Sequence, residues 1–220
     1  MREFNDNILE SLDNGLVVFD ADERIVRWNR ALEEFYGVAR ADVIIEAIFE
    51  DLKAKRELFA KLEAMAKPTA VLASNTSSLK LADIAAEFKD PSRLVGIHFF
   101  NPVPQMMLVE VVNAAGTNPD HVKNAIAFVR QIDKLPLPVK DSPGFLVNRV
   151  LGPYMQNAFR MLEEGAKPET LDAAMEAFGM PMGPLRLIDE VGADIAIDVT
   201  TTLAAAFPNR LHVPDVLPAM

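Results

Sequence analysis

Three short apolar runs, separated by two segments of helical periodicity, constrain the fold of this chain more than any other feature. The runs are ADVIIEAIF at 41–49, TAVLASN at 69–75 and RLVGIHFF at 93–100. Each is rich in branched residues, which is typical of a strand buried on both faces. Between them, 51–66 and 81–88 place apolar residues at helical spacing. Alternation of strands and helices predicts an α/β fold, with parallel strands joined by crossover helices.

The pattern continues with a strand at 107–113, an amphipathic helix at 120–132 and a proline-containing strand at 135–140. Proline cannot donate to a neighbouring strand, so this last strand is predicted at an edge of the sheet. After DSPG the sequence predicts an all-α C-terminal domain with three helices, over 145–164, from Pro168 to Gly179, and over 184–207. Prolines interrupt the tail from 209 onward, which predicts loose packing there.

The first forty residues have a different texture. GLVVFD at 15–20 and RIVRWN at 24–29 predict a hairpin, and short helices are expected at 7–14 and 30–37. The change near residue 40 predicts a boundary. We therefore expect an N-terminal fragment, the distal part of a sheet domain, and a helical domain, over 1–40, 41–141 and 142–220.

Composition excludes several classes of site. The formal net charge of -10 argues against a nucleic-acid-binding surface. The absence of cysteine excludes disulfides, thiolate metal ligands and a cysteine nucleophile, and fits a cytoplasmic protein. The N-terminus is too charged for a secretory signal, and no apolar run approaches the roughly 20 residues that span a bilayer. We expect an acidic cytoplasmic protein with no membrane partner.

One histidine and one carboxylate stand in the apolar stretch LVGIHFFNPVPQMMLVEVV at 94–112. A chain reversal centred on Pro104 would place His98 opposite Glu110 on adjacent strands. A carboxylate beside an imidazole fixes its tautomer and supports its charged form, which is how a general base is built. From the residues alone, the favoured interpretation of the pair is a packed core histidine beside a carboxylate at the sheet rim.

Five motifs, in order and at matching spacing, give the chain a specific resemblance. They are ADVIIEAIFEDLKAK, ASNTSSL, GIHFFNPVPQMMLVEVV, DSPGFLVNRV and GMPMGPLRLIDEVG, and the resemblance covers residues 41 to about 207. Together they resemble the 3-hydroxyacyl-CoA dehydrogenase family, including the dehydrogenase part of bacterial fatty-oxidation enzymes. The resemblance implies a partial Rossmann-like sheet, NAD as cofactor, a 3-hydroxyacyl-CoA or 3-ketoacyl-CoA substrate, and a homodimer formed through the C-terminal helices.

The resemblance also implies roles for individual residues. His98 would take the proton of the 3-hydroxyl group, and Glu110 would support the resulting imidazolium. Ser77 and Asn148 would hydrogen-bond the reacting oxygen, although both residue types also commonly satisfy backbone groups in turns and at helix starts. Cofactor-binding residues would be Glu50, Lys55 and Asn75. For Glu50 and Lys55 the alternative without a cofactor is a solvated charge pair on a helix.

The chain departs from the family in its first part. No two of its ten glycines are two residues apart, so the G-x-G-x-x-G phosphate-binding pattern is absent. This absence predicts weakened NAD binding. In its place, residues 7–38, with the stretch ILESLDNGLVVFDADERIVRWNRALEEFYGV, resemble the opening of a PAS sensor domain. The chain therefore reads as a join of two fragments near residues 38–42, either a natural fusion or a designed, recombined or misassembled sequence. The alternative to an oxidoreductase is thus a non-catalytic PAS-like sensor or interaction protein.

Overall fold

The computed structural model describes residues 42–217 in full, together with the backbone of two short strands at 17–19 and 25–28. The chain divides into two compact units, Met1–Ser142 and Pro143–Met220. The two short strands, β1 (Val17–Phe19) and β2 (Ile25–Trp28), pair antiparallel as a hairpin, as the sequence predicts. The helices expected at 7–14 and 30–37 lie outside the described residues.

A five-stranded sheet forms the centre of the first unit. Its strands are β3 (Val43–Glu46), β4 (Val71–Ser74), β5 (Leu94–Phe99), β6 (Leu108–Asn113) and β7 (Leu135–Lys140), side by side in chain order. The first three run parallel, β6 runs antiparallel to β5, and β7 runs parallel to β6. The mixed α/β architecture with a partial Rossmann-like sheet is therefore confirmed. The antiparallel step places the histidine strand beside the carboxylate strand.

Helices cover the sheet on the segments that connect its strands: α1 (Leu52–Met65), α2 (Leu81–Ile84) and α3 (Pro119–Gln131), with 3₁₀ turns at Ala85–Glu87 and Pro91–Arg93. Side chains cap α1 and α3, because Asp51 accepts from the Ala54 amide and Asn118 from the Asp120 amide. Phe128 and Val129 of α3 join the buried valines and isoleucines of the sheet in one core. This packing holds the strand ends in fixed register.

The edge strand β7 contains two prolines at compatible positions. The amide of Leu135 donates to Met107 at 2.8 Å, and that of Asp141 donates to Asn113 at 3.0 Å. Odd-numbered residues therefore turn their amides toward β6. Pro136 and Pro138, at even positions, have their nitrogens on the outer side, where no ladder bond is lost.

The second unit is all-α and contains α4 (Val147–Glu163), α5 (Pro168–Phe178), α6 (Pro184–Val191) and α7 (Ala193–Ala206). The single helix expected over 184–207 is wrong, because Gly192 adopts a φ of 102° that ends α6 and begins α7. The loosely packed tail is also wrong, since Leu217 is fully buried in the core formed around Phe159 and Leu185. In the part of the chain that the structure covers, none of the helices has the length and apolarity to cross a membrane.

Candidate active site

The carboxyl ends of β3, β4 and β5 meet at one edge of the sheet, because these strands are parallel. Polar side chains gather there in an otherwise apolar sheet. Glu46 and Ser74 end their strands, and His98 is the second-last residue of β5. Ligands of open α/β sheets bind outside this edge, so it is the candidate active site.

His98 and Glu110 form the centre of this site. They are directly paired in the β5–β6 register, and His98 Nδ1 lies 2.8 Å from Glu110 Oε2. The Glu110 carboxylate is fully buried and the imidazole nearly so. The ring of Phe100 lies 4.6 Å from the imidazole, centroid to centroid, and fixes a second side of it. A carboxylate at Nδ1 fixes the orientation of the imidazole ring and its tautomer.

Asn75 positions the end of the histidine strand. Its side-chain oxygen accepts from the Phe99 amide at 3.0 Å, and its own amide donates to the Glu46 carbonyl at 2.8 Å. The residue thereby links the ends of all three parallel strands. Asn75 thus bonds the backbone of the two neighbouring strands, β3 and β5. The sequence alone does not predict these two contacts.

Glu50 organises the turn that follows β4. Its Oε1 accepts from the Thr76 hydroxyl, from the amides of Ser77 and Ser78 at 3.0 and 3.1 Å, and from the Ser78 hydroxyl at 3.2 Å. Its Oε2 lies 3.3 Å from the Lys55 ammonium. One carboxylate thus fixes the backbone on both sides of the Ser77 side chain.

The pKa of Glu50 is lowered from its ordinary value. Burial acts to raise this pKa, but the Lys55 charge and the hydrogen bonds from Thr76 and Ser78 together outweigh burial. Glu50 is therefore a carboxylate at neutral pH.

Glu46 and Lys55 form a buried ion pair at 2.6 Å, with side chains that are 0% and 1% exposed. The interpretation of Lys55 and Glu50 as a solvated helical pair does not describe this arrangement. Sequence reasoning missed Glu46 as a functional candidate. The available signal was a carboxylate inside the apolar run ADVIIEAIF, the same kind of signal that drew attention to Glu110.

The remaining predicted residues lie in two places. Ser77 is half-buried in the turn held by Glu50, in the first unit. Asn148 is half-buried in the first turn of α4, in the second unit, after Gly144 and Phe145 with φ of 68° and 46°. No group of three or more metal-ligating side chains is found among residues 42–217.

Two models of one protein family match the chain. The family model described as 3-hydroxyacyl-CoA dehydrogenase, NAD binding domain, matches residues 4–142. A second, described as 3-hydroxyacyl-CoA dehydrogenase, C-terminal domain, matches residues 144–220. The first match includes residues 8–38, whose resemblance to a PAS domain stays a prediction.

Individual relatives agree with the family models. The chain is 41% identical over 223 residues to the fatty acid oxidation complex subunit alpha of Vibrio cholerae, which covers 96% of the chain and 32% of that protein. The chain therefore spans about a third of the length of this relative. The chain also resembles the crystal structure of 3-hydroxybutyryl-CoA dehydrogenase from Escherichia coli K12, with a TM-score of 0.79 and 40% identity. This match covers 87% of the present chain and 41% of the Escherichia coli chain. The crystal structure of (S)-3-hydroxybutyryl-CoA dehydrogenase PaaH1 from Ralstonia eutropha matches 83% of the present chain over 66% of its own, with a TM-score of 0.79 and 35% identity.

Proposed function

Because the chain belongs to the 3-hydroxyacyl-CoA dehydrogenase family, we propose that it exchanges a hydride between C3 of a 3-hydroxyacyl-CoA and NAD. The observation that carries the proposal is the contact of 2.8 Å between His98 and Glu110 at the carboxyl edge of the sheet. Burying two polar groups in an apolar strand pair costs free energy unless the groups hydrogen-bond to each other. Here their arrangement is that of a general base and its orienting carboxylate.

In the oxidative direction, His98 Nε2 takes the proton of the 3-hydroxyl group as the hydride leaves C3, and the alcohol becomes a ketone. NAD supplies the acceptor of the hydride. Glu110 holds Nδ1–H and stabilises the imidazolium that forms. In the reductive direction His98 returns the proton to the carbonyl oxygen of a 3-ketoacyl-CoA.

Charge develops on the reacting oxygen during transfer, so hydrogen-bond donors must already be in place. Ser77 is the proposed donor from the first unit, since the Glu50 carboxylate fixes the backbone on which it stands. Asn148 is a second proposed donor, on the strength of the family motif alone. Both assignments follow from the family motifs ASNTSSL and FLVNR.

The residues present fit one half of the cofactor. Glu50 keeps 27% of its side chain exposed, and Ser77 is half-buried, so polar groups reach the edge where ribose and carboxamide groups of NAD need partners. The pyrophosphate has no matching glycine-rich turn in this sequence. We therefore propose NAD binding through the nicotinamide half, with affinity below that of a complete dinucleotide-binding turn.

We propose a cytoplasmic location for the protein. We also propose a homodimer formed through the second unit. Large apolar side chains on this unit support dimerisation, because Val150 is 68% exposed and Phe178 is 81% exposed. Light scattering of the purified chain tests this, and a monomeric mass across the micromolar range would contradict it.

The activity is tested with acetoacetyl-CoA and saturating NADH. We expect slow reduction that His98→Ala lowers by about 10²–10⁴-fold. His212→Gln is the matched control, since His212 lies exposed in the second unit and hydrogen-bonds with Gln156. Absence of both turnover and calorimetric NADH binding in the unmodified chain would contradict the proposal and favour the non-catalytic interaction protein.

A further inference from the structure

We propose that Glu46 is a positioning residue that fixes the turn at 76–78, and with it Ser77, through Lys55 and Glu50. The inference follows a continuous line of contacts from the sheet core to the surface turn. Its structural part is independent of the reaction, and its functional part rests on the proposed function.

The line begins at the end of β3. Glu46 Oε1 accepts from the Lys55 ammonium at 2.6 Å and from the Ile48 amide at 2.7 Å, and Oε2 accepts from the Ser74 hydroxyl at 2.7 Å. The residue is 2% exposed. A buried carboxylate with both oxygens occupied has no room for a ligand. Its effect on the site must therefore pass through its partners.

Lys55 is the next link, and its ammonium is saturated. An ammonium has three donors. Three acceptors surround Nζ: Glu46 Oε1 at 2.6 Å, the Ile48 carbonyl at 3.2 Å and Glu50 Oε2 at 3.3 Å. Because the side chain is only 1% exposed, none of these donors is left for a cofactor. Lys55 thus holds Glu50 in place.

Glu50 completes the line. While Oε2 faces Lys55, Oε1 accepts from the amides of Ser77 and Ser78 and from the hydroxyls of Thr76 and Ser78. Hydrogen bonds to a charged acceptor are about twice as strong as neutral ones, so the turn depends on a correctly placed carboxylate. Lys55 places it, and Glu46 places Lys55.

The experiment compares amide hydrogen exchange rates of the unliganded chain between the unmodified protein and variants at Glu46 and Lys55. We expect Glu46→Gln and Lys55→Met each to speed exchange of the Ser77 and Ser78 amides by about tenfold or more, relative to the amides of β4. The double variant should be no worse than Lys55→Met alone, because both act on one line. It also removes both charges together, which a buried site tolerates better than one charge left alone. Glu57→Gln and Lys53→Met, an exposed pair on α1, are the matched controls.

Two results would overturn the inference. One is an exchange rate of the Ser77 and Ser78 amides that rises by the same factor as that of the β4 amides. That would show a general loss of stability without any specific effect on the turn. The other is a direct role for Lys55, seen as Lys55→Met raising the KM for NADH while Glu46→Gln leaves both KM and exchange unchanged. If the chain proves inactive, the exchange comparison alone decides, so failure of the proposed function is distinguishable from failure of this inference.

Discussion

His98 and Glu110 face each other across the antiparallel strands β5 and β6, with Nδ1 and Oε2 at 2.8 Å. Twelve positions separate them in the chain, and the reversal between the two strands brings them together. The site therefore depends on the register of one strand pair. A slip of one residue would turn either side chain to the other face of the sheet.

Replacement of Glu110 by glutamine tests the carboxylate itself. Glutamine preserves the shape but removes the charge, and its amide can present a donor to Nδ1 and favour the wrong tautomer of His98. We expect kcat for acetoacetyl-CoA reduction to fall by about 10²–10⁴-fold. Nitrogen NMR of the imidazole, which needs no substrate, should show an altered tautomer population. An unchanged tautomer and an unchanged kcat would refute the orienting role.

Substitution of Gly96 tests how tightly β5 and β6 are packed. It pairs with Val112, and an added methyl group would lie 2.6 Å from Val112 Cβ. We expect Gly96→Ala to lower the free energy of unfolding by about 1–3 kcal/mol, since the strands must separate to admit it. Gly116→Ala is the control, because nothing lies within 4 Å of its added Cβ, and it should change stability by less than about 0.5 kcal/mol. Equal urea midpoints for the two variants would contradict this account.

Lys134 holds the loop between β5 and β6. Its ammonium donates to the carbonyls of Val103 at 2.6 Å and Met106 at 3.0 Å, and the side chain is buried. We expect Lys134→Met to cost about 2–4 kcal/mol in the free energy of unfolding, because carbonyls bonded to a charged donor lose it. Urea unfolding measures this, with the exposed Lys140→Met as comparison. Matching stabilities of both variants would rule out the bonding role.

His121 gives the first unit a pH dependence. Burial, followed by the Arg93 charge, lowers the pKa of His121 below its ordinary 6.5, while Asp90 and Asp120 oppose the shift. The folded state then binds fewer protons than the unfolded one. The stability that this group contributes is complete above pH 6.5 and is lost as the pH falls through the lowered folded pKa.

The comparison variant is His121→Leu, which also removes a buried Nδ1 that has no hydrogen-bond partner in the described chain. We expect the difference in unfolding free energy between the two proteins to shift in favour of leucine as the pH is lowered below 6.5. Urea unfolding across this range measures it. A difference that stays constant with pH would show that the imidazole titrates alike in both states.

The sequence predicts those parts of the structure that depend on local pattern. Branched apolar runs predict β3, β4 and β5, and one proline-centred reversal is enough to predict that His98 lies opposite Glu110. These features follow from side-chain alternation and from short chain separation. Local signals fail at Gly192, where apolar periodicity continues from α6 into α7 although the backbone turns.

The polar network at the sheet edge could not be predicted in the same way. In the sequence Lys55 and Glu50 look like a solvated charge pair, but Glu50 precedes α1 and Lys55 points into the sheet edge. Its burial depends on Glu46, which belongs to another element. Contacts between elements are set by packing of the whole unit, which a pattern along the chain does not contain.

The two prolines of β7 determine where the sheet can grow. With the nitrogens of Pro136 and Pro138 turned outward, this side lacks two of the donors that an approaching extended chain requires. Within the described residues β3 is the opposite end of the sheet, and VIIE retains every amide hydrogen. Intermolecular strand exchange or fibril seeding is therefore disfavoured at β7, where two carbonyls of an incoming strand would find no amide hydrogen.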